Sequence, residues 1–140
     1  MDDSLVNEIL QDIQNNKIRT KEELQQEIKL KLYEVYKPFL SFETNQDNFK
    51  ETYDKLDGYK YVTVSELEEG RYIRFLNTKF FYDIKLQKGG FINSINKKKK
   101  LISLINGNKI IKIFYPSITI FMKLNESDRV KQLILESEFL

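Results

Sequence analysis

Gly70-Arg71-Tyr72-Ile73-Arg74-Phe75, then Phe80 to Leu86, then Gly89-Gly90-Phe91-Ile92, and finally the run from Leu101 to Phe121-Met122-Lys123 decide the fold of this chain. Arg71 to Leu76 reads as a strand, Asn77-Thr78-Lys79 as a turn and Phe80 to Leu86 as the return strand, because β-branched and aromatic residues are bounded by turn formers. Gly89-Gly90 admits backbone angles closed to other residues, which suits a tight turn or a bulge. Phe91 to Ile95 is the next strand and Asn96 to Lys100 a polar hairpin tip. Leu101 to Ile105, Asn106-Gly107-Asn108 and Lys109 to Tyr115 give the strongest hairpin signal in the chain. Pro116 has no amide proton for a ladder and marks a corner or an edge, after which Ser117 to Lys123 supplies the last strand. Upstream, Tyr59 and Tyr61 alternate with Lys60, Val62 and Val64. The expected unit is a basic, antiparallel β-barrel or strongly curved sheet over residues 59–123.

Helical patterns flank it. Asp3 or Ser4 can cap a first helix carrying Leu5, Val6, Ile9, Leu10 and Ile13 on one face. Thr20 and Glu23 form a capping-box pair ahead of a second helix with Leu24, Ile28, Leu32 and Val35 in a stripe, and Pro38 marks its end. Phe49, Tyr53 and Leu56 predict a short third helix stopped by Gly58. Asn125 or Ser127 caps a closing helix with Val130, Leu133, Ile134 and Phe139 inward. The fold class is therefore α+β: an acidic helical segment at 1–58 packed on a five- or six-stranded SH3-like barrel at 59–123, closed by a helix at 124–140.

Charge is unevenly spread. Residues 1–58 carry 8 Lys/Arg against 13 Asp/Glu, a balance of −5; residues 59–123 carry 13 against 4, or +9; residues 124–140 carry 2 against 4, or −2. Two explanations stand for the basic unit: complementarity with its own acidic helices in a lysine-rich, A+T-biased composition, or a surface for a polyanion or acidic partner. The residues that would make such a surface are Arg71, Arg74, Lys85, the tip lysines Lys97, Lys98, Lys99 and Lys100, and Lys112. Aromatics including Tyr72, Phe75, Phe80, Phe81, Tyr82, Phe91 and Phe114 interleave with them, as in stacking platforms for single-stranded nucleic acid, although such residues also fill barrel cores.

The chemistry census is short. The chain has no Cys and no His, which removes thiolate chemistry, disulfides and the side chain most used for proton transfer near neutral pH. The carboxylate pairs Glu22/Glu23, Glu68/Glu69 and Asp54/Asp57 have no nucleophile or metal partner, and neither Gly89-Gly90 nor Gly107 fits a phosphate-binding loop. Asp83 can pair across the sheet with Arg71 or Arg74. No catalytic, cofactor or metal residue is assigned and no enzyme activity is expected. The acidic N-terminus lacks a secretory pattern, and the longest apolar-rich segment, Ile110 to Met122, is broken by Lys112, Pro116, Ser117 and Thr119. The expectation is an intracellular protein that is not secreted and does not span a membrane.

The run Glu66-Leu67-Glu68-Glu69-Gly70-Arg71-Tyr72-Ile73-Arg74-Phe75, with Gly89-Gly90-Phe91-Ile92, Ile113-Phe114-Tyr115 and Ile120-Phe121-Met122-Lys123, resembles a pattern of small β-barrel proteins of large nucleocytoplasmic (giant) DNA viruses. There a G-x-Y-I-R strand precedes a G-G-F/L turn, and the closing strand ends with an aromatic and a lysine. Where that pattern has an aromatic, often tryptophan, before the last strand, only Phe114 or Tyr115 stands here. The resemblance covers about the middle half of the chain. It implies a structural or packaging role, as a minor virion or capsid-associated component in the virion or host cytoplasm, with other virion or host proteins as partners. The alternative is a nucleic-acid-binding module taking DNA or RNA on the basic sheet and the Lys97–Lys100 loop; a host-protein-binding factor fits the same residues.

Overall fold

The computed structural model describes residues 19–138, together with Ser4, Asn7 and Gln11, which are helical. The apolar positions of the expected first helix, Leu5, Val6, Ile9, Leu10 and Ile13, lie outside the described residues, as does Phe139. Three helices and a six-stranded antiparallel sheet follow.

Helix α1 (Lys21–Tyr36) begins at the capping box read from the sequence: the Glu23 amide donates to Thr20 Oγ1 at 3.1 Å and the Thr20 amide to Glu23 Oε1 at 3.3 Å. It ends ahead of Pro38, whose ring cannot continue the ladder. Its buried stripe is Leu24, Ile28, Leu32 and Tyr36, so Tyr36 rather than Val35 completes it. Helix α2 (Glu43–Lys55) is longer than expected and buries polar residues, Asn45, Asn48 and Thr52, while Phe49 and Tyr53 are partly buried. Helix α3 (Glu126–Glu138) starts at Asn125, whose Oδ1 accepts from the Asp128 amide at 2.8 Å while Asp128 Oδ2 accepts from the Asn125 amide at 3.0 Å. Leu135 faces inward and Leu133, expected there, is 66% exposed.

The strands are β1 (Tyr59–Val62), β2 (Tyr72–Asn77), β3 (Leu86–Asn96), β4 (Leu101–Asn106), β5 (Lys109–Phe114) and β6 (Ile118–Lys123). Their order in the sheet is β1-β6-β2-β3-β4-β5, so β1 and β5 are free edges and the expected barrel does not close. Strong curvature is present all the same. Between Gly90 and Gln87, β3 has one more residue than the facing stretch of β2, and a second register shift falls at Ile92–Ser94 against β4. Each bulge bends its strand. The sheet thereby rolls around an inner cluster that includes Val62 of β1 and Ile113 of β5: the two edges share a core without sharing hydrogen bonds.

One expected strand is absent. Phe80 to Ile84 forms a looped turn, and β3 starts only at Leu86 and runs unbroken through Gly89-Gly90. The reason lies in α2, where the Asn45 side chain takes backbone groups that a neighbouring strand would otherwise satisfy. Asn45 Nδ2 donates to the carbonyls of Phe39 and Phe81 at 2.9 and 2.7 Å, and Asn45 Oδ1 accepts from the Ile84 amide at 2.8 Å. Asp83, expected to pair with Arg71 or Arg74, instead accepts from Asn48 Nδ2 at 2.7 Å and lies 3.5 Å from Lys85 Nζ.

The sheet has two unlike faces. Its inner face carries Ile73, Phe75, Ile92, Ile102, Leu104, Ile113, Ile120 and Met122, joined by Leu67 from the segment between β1 and β2. On the outer face, Phe121 and Leu76 pack with Ile28, Leu32 and Tyr36 of α1, with Leu56 and with Ile84 of the loop. That helical cover reaches β1, β6, β2 and the start of β3. It leaves the outer side of the β3–β4–β5 hairpins in solvent.

Candidate contact surfaces

The loop that replaces the expected strand is the first candidate. Phe80, Phe81 and Tyr82 stand in sequence at 58%, 46% and 52% exposure. Their backbone is held from beneath by fully buried Asn45, and Tyr36 Oη donates to the Ile84 carbonyl at 2.8 Å. The rings also order each other: Phe81 lies 5.7 Å from Phe42, 5.9 Å from Phe39 and 5.7 Å from Tyr82, and Lys79 Nζ sits 5.8 Å over the Phe80 ring. Burial pushes the Tyr36 phenol up from its ordinary value, the Thr52 hydrogen bond acting against it, so Tyr36 stays a neutral donor. A hydrogen-bonded framework thus fixes a loop whose apolar side chains face water. That is the usual preparation of a binding loop, because the ordering entropy is lost before a partner arrives.

The second candidate is the uncovered outer face of the distal hairpins. Tyr72, Phe91, Ile105 and Ile110 are successive cross-strand partners, forming one row over four strands. Phe91, Ile105 and Ile110 are 55%, 38% and 66% exposed, with Phe114 at 50% further along β5. The Tyr72 ring packs edge-on to Phe91 at 5.0 Å and its hydroxyl donates to the Lys88 carbonyl at 2.7 Å.

The basic residues singled out from the sequence divide between roles. Arg71 is largely buried: its guanidinium meets Asp128 Oδ2 at 2.8 Å and the Lys123 carbonyl at 3.0 Å, tying the residue just before β2 to α3 and the end of β6. Arg74 donates through Nε to the Gln87 carbonyl at 3.1 Å and sits beside Tyr59, whose pKa is raised by burial and lowered in part by that guanidinium. Both arginines serve the fold. Lys97 to Lys100 form an exposed tip between β3 and β4, with Lys100 in the left-handed region at φ 58°. Lys112 is exposed midway along β5, and Lys85 is exposed at the entry to β3. Lys85 lies with Lys88 and Lys109, two residues the sequence reading passed over, around a groove at the opposite end of β4 from the tip. A signal for them existed: between Asp83 and Glu126 the chain contains no acidic residue and nine lysines.

A third concavity, of about 450 Å³ beneath α3, holds more charge and offers less. Lys60 and Arg71 both pair with Asp128, Arg19 pairs with Glu27, and Glu66 closes a capping box with Thr63. Arg19, Lys60, Glu66, Arg71 and Asp128 are thus engaged in contacts within the fold. No group of three or more His, Cys, Asp and Glu residues is placed to hold a metal ion among the described residues, and no described helix is long and apolar enough to cross a membrane. No known protein family, curated protein or solved structure matches the chain.

Proposed function

We propose that this protein is a non-catalytic structural and interaction protein that works by presenting prepared contact surfaces, the aromatic loop foremost. The observation that carries this reading is buried Asn45, which bonds the Phe81 carbonyl and the Ile84 amide on either side of Tyr82 and ties them to the Phe39 carbonyl, so that the backbone bearing Phe80, Phe81 and Tyr82 is fixed while their rings stay exposed. Large rings on a fixed backbone are the side chains that most often anchor protein–protein contacts. The resemblance to small proteins of large DNA viruses suggests the setting, a minor virion or capsid-associated assembly component. The order β6-β2-β3-β4-β5, with a 3₁₀ turn at Tyr115–Ser117 ahead of β6, supports an SH3-like description of these five strands.

The test compares wild type with a Phe80→Ser/Tyr82→Ser double variant, both immobilised and exposed to disrupted particles or infected-cell extract. Each replaced ring is about half exposed, so the melting temperature should hold. The expected result is that proteins retained by wild type fall at least roughly tenfold on the variant, the effect of losing anchors of 1–2 kcal/mol or more. An unchanged set of retained proteins contradicts the reading. A second reading, nucleic-acid binding, is favoured by the exposed Lys97–Lys100 tip. Steeply salt-dependent retention on DNA or RNA, softened by Lys→Gln changes at those four positions, would support it in place of the first.

A further inference from the structure

We infer that the free edge of β5 accepts an extended, acidic segment of another protein, which joins the sheet as an additional strand. Among the described residues β5 has a neighbour on one side only, and five of its six residues are exposed. A terminal strand turns every second amide and carbonyl outward, a ready template for another chain. Ile110, Ile111 and Phe114 are 66%, 36% and 50% exposed, so the edge also offers apolar area on both faces.

The groove at the start of this edge selects the occupant. It measures about 820 Å³ and is floored by Phe75, Leu86 and Ile111, with Lys85, Lys88 and Lys109 around it; none of the described residues lining it is a carboxylate. An apolar floor under Lys88 and Lys109, with Lys85 shared with Asp83 at 3.5 Å, suits one large apolar side chain flanked by Asp or Glu. Main-chain pairing along β5 would supply affinity and the groove would supply selectivity, the two elements of strand addition. Lys112 extends the positive track along the strand towards the Lys97–Lys100 tip.

Charge also decides against a second copy of this chain. Antiparallel self-pairing that sets Ile110 on Phe114 places two Lys112 side chains opposite one another, and like charges facing across a ladder destabilise it. An acidic strand meets the same lysines favourably. Nucleic acid fits less well, because Arg71 and Arg74, the arginines of the β unit, are engaged inside the fold.

The experiment uses the full chain and a fluorescein-labelled heptapeptide of alternating Glu and Val/Ile, followed by anisotropy at about 50 and about 300 mM NaCl, between which the screening length falls by roughly 2.4-fold. Saturable binding is expected. It should weaken at least roughly tenfold in the exposed-site variant Lys88→Glu/Lys109→Glu, a 1.4 kcal/mol effect, with an unchanged melting temperature. It should be lost when alternate peptide amides are N-methylated, since that keeps charge and apolar area while removing ladder donors. Three results would overturn the inference: equal binding of the N-methylated peptide, tighter binding of an oligothymidylate at the same salt, or no binding at about 1 mM peptide, the weak end of measurable affinity.

Discussion

One sheet meets two different surroundings. Over β1, β6 and β2 the outer face is closed by α1, α2 and the aromatic loop, and Leu32, Tyr36, Leu76, Ile84 and Phe121 are at most 1% exposed. Over β3, β4 and β5, strands of the same ladder, Phe91, Ile110 and Phe114 are at least half exposed. The distal strands keep their place without that cover because Ile92, Ile102, Leu104 and Ile113 bury their other face in the inner cluster. The two sides of the same strands are therefore unlike: one is buried in the core and the other is left bare.

The sharpest break would come at the seam between the halves. A Cβ added at Gly89 would stand 1.8 Å from the Ile73 carbonyl oxygen, at a φ of +69°. Gly89→Ala should therefore cost roughly 4 kcal/mol, adding overpacking to backbone strain. Urea melts would show it as a collapsed midpoint, and a loss under about 1 kcal/mol would mean that the bulge is not where β2 and β3 meet.

The contrast itself is tested by matched truncations. Leu32→Ala, under the helices, should cost about 3 kcal/mol. Ile110→Ser, on the bare face, should stay within about 0.5 kcal/mol of wild type. Comparable losses would make the distal outer face a core and remove it as a contact surface. Asn45→Ala should fall between them, at roughly 2 kcal/mol, because three backbone groups lose their partner. It should also speed hydrogen exchange at the Ile84 amide, and unchanged exchange there would show that the loop is held by something else.

The smallest expected effect is a slope. Tyr36 has a raised pKa in the folded chain, so above pH 10 the unfolded chain loses the phenolic proton while the folded one retains it. Its contribution is fully present below pH 10 and is lost as pH rises through the higher folded value. Tyr36→Phe should flatten the alkaline fall in stability, and an identical fall in both proteins would remove Tyr36 as its source.

Much of this was legible in the residues. The Thr20/Glu23 capping box, Pro38 as a helix stop, the Asn106–Asn108 turn, the Gly89-Gly90 bulge and the corner at Pro116 are local devices, and the chain uses each where its chemistry puts it. What local pattern could not convey was competition from afar. Phe80 to Leu86 has strand composition, yet Asn45 and Asn48, 35 to 39 residues earlier, take up its polar groups first. Arg71 and Arg74 looked like surface cations because Asp128 and the Gln87 carbonyl reach them only in three dimensions. Lys88 and Lys109 went unnoticed beside the conspicuous Lys97–Lys100 run, although the acid-free stretch around them was plain to count.

Radical footprinting of the protein, free and bound to the proteins that it retains, tests the division most directly. Phe80, Tyr82, Phe91 and Phe114 should become protected from oxidation in the complex, while Leu30 and Tyr33 on the outer side of α1 react as before. Protection concentrated on Leu30 and Tyr33, with those four rings still reactive, would contradict it.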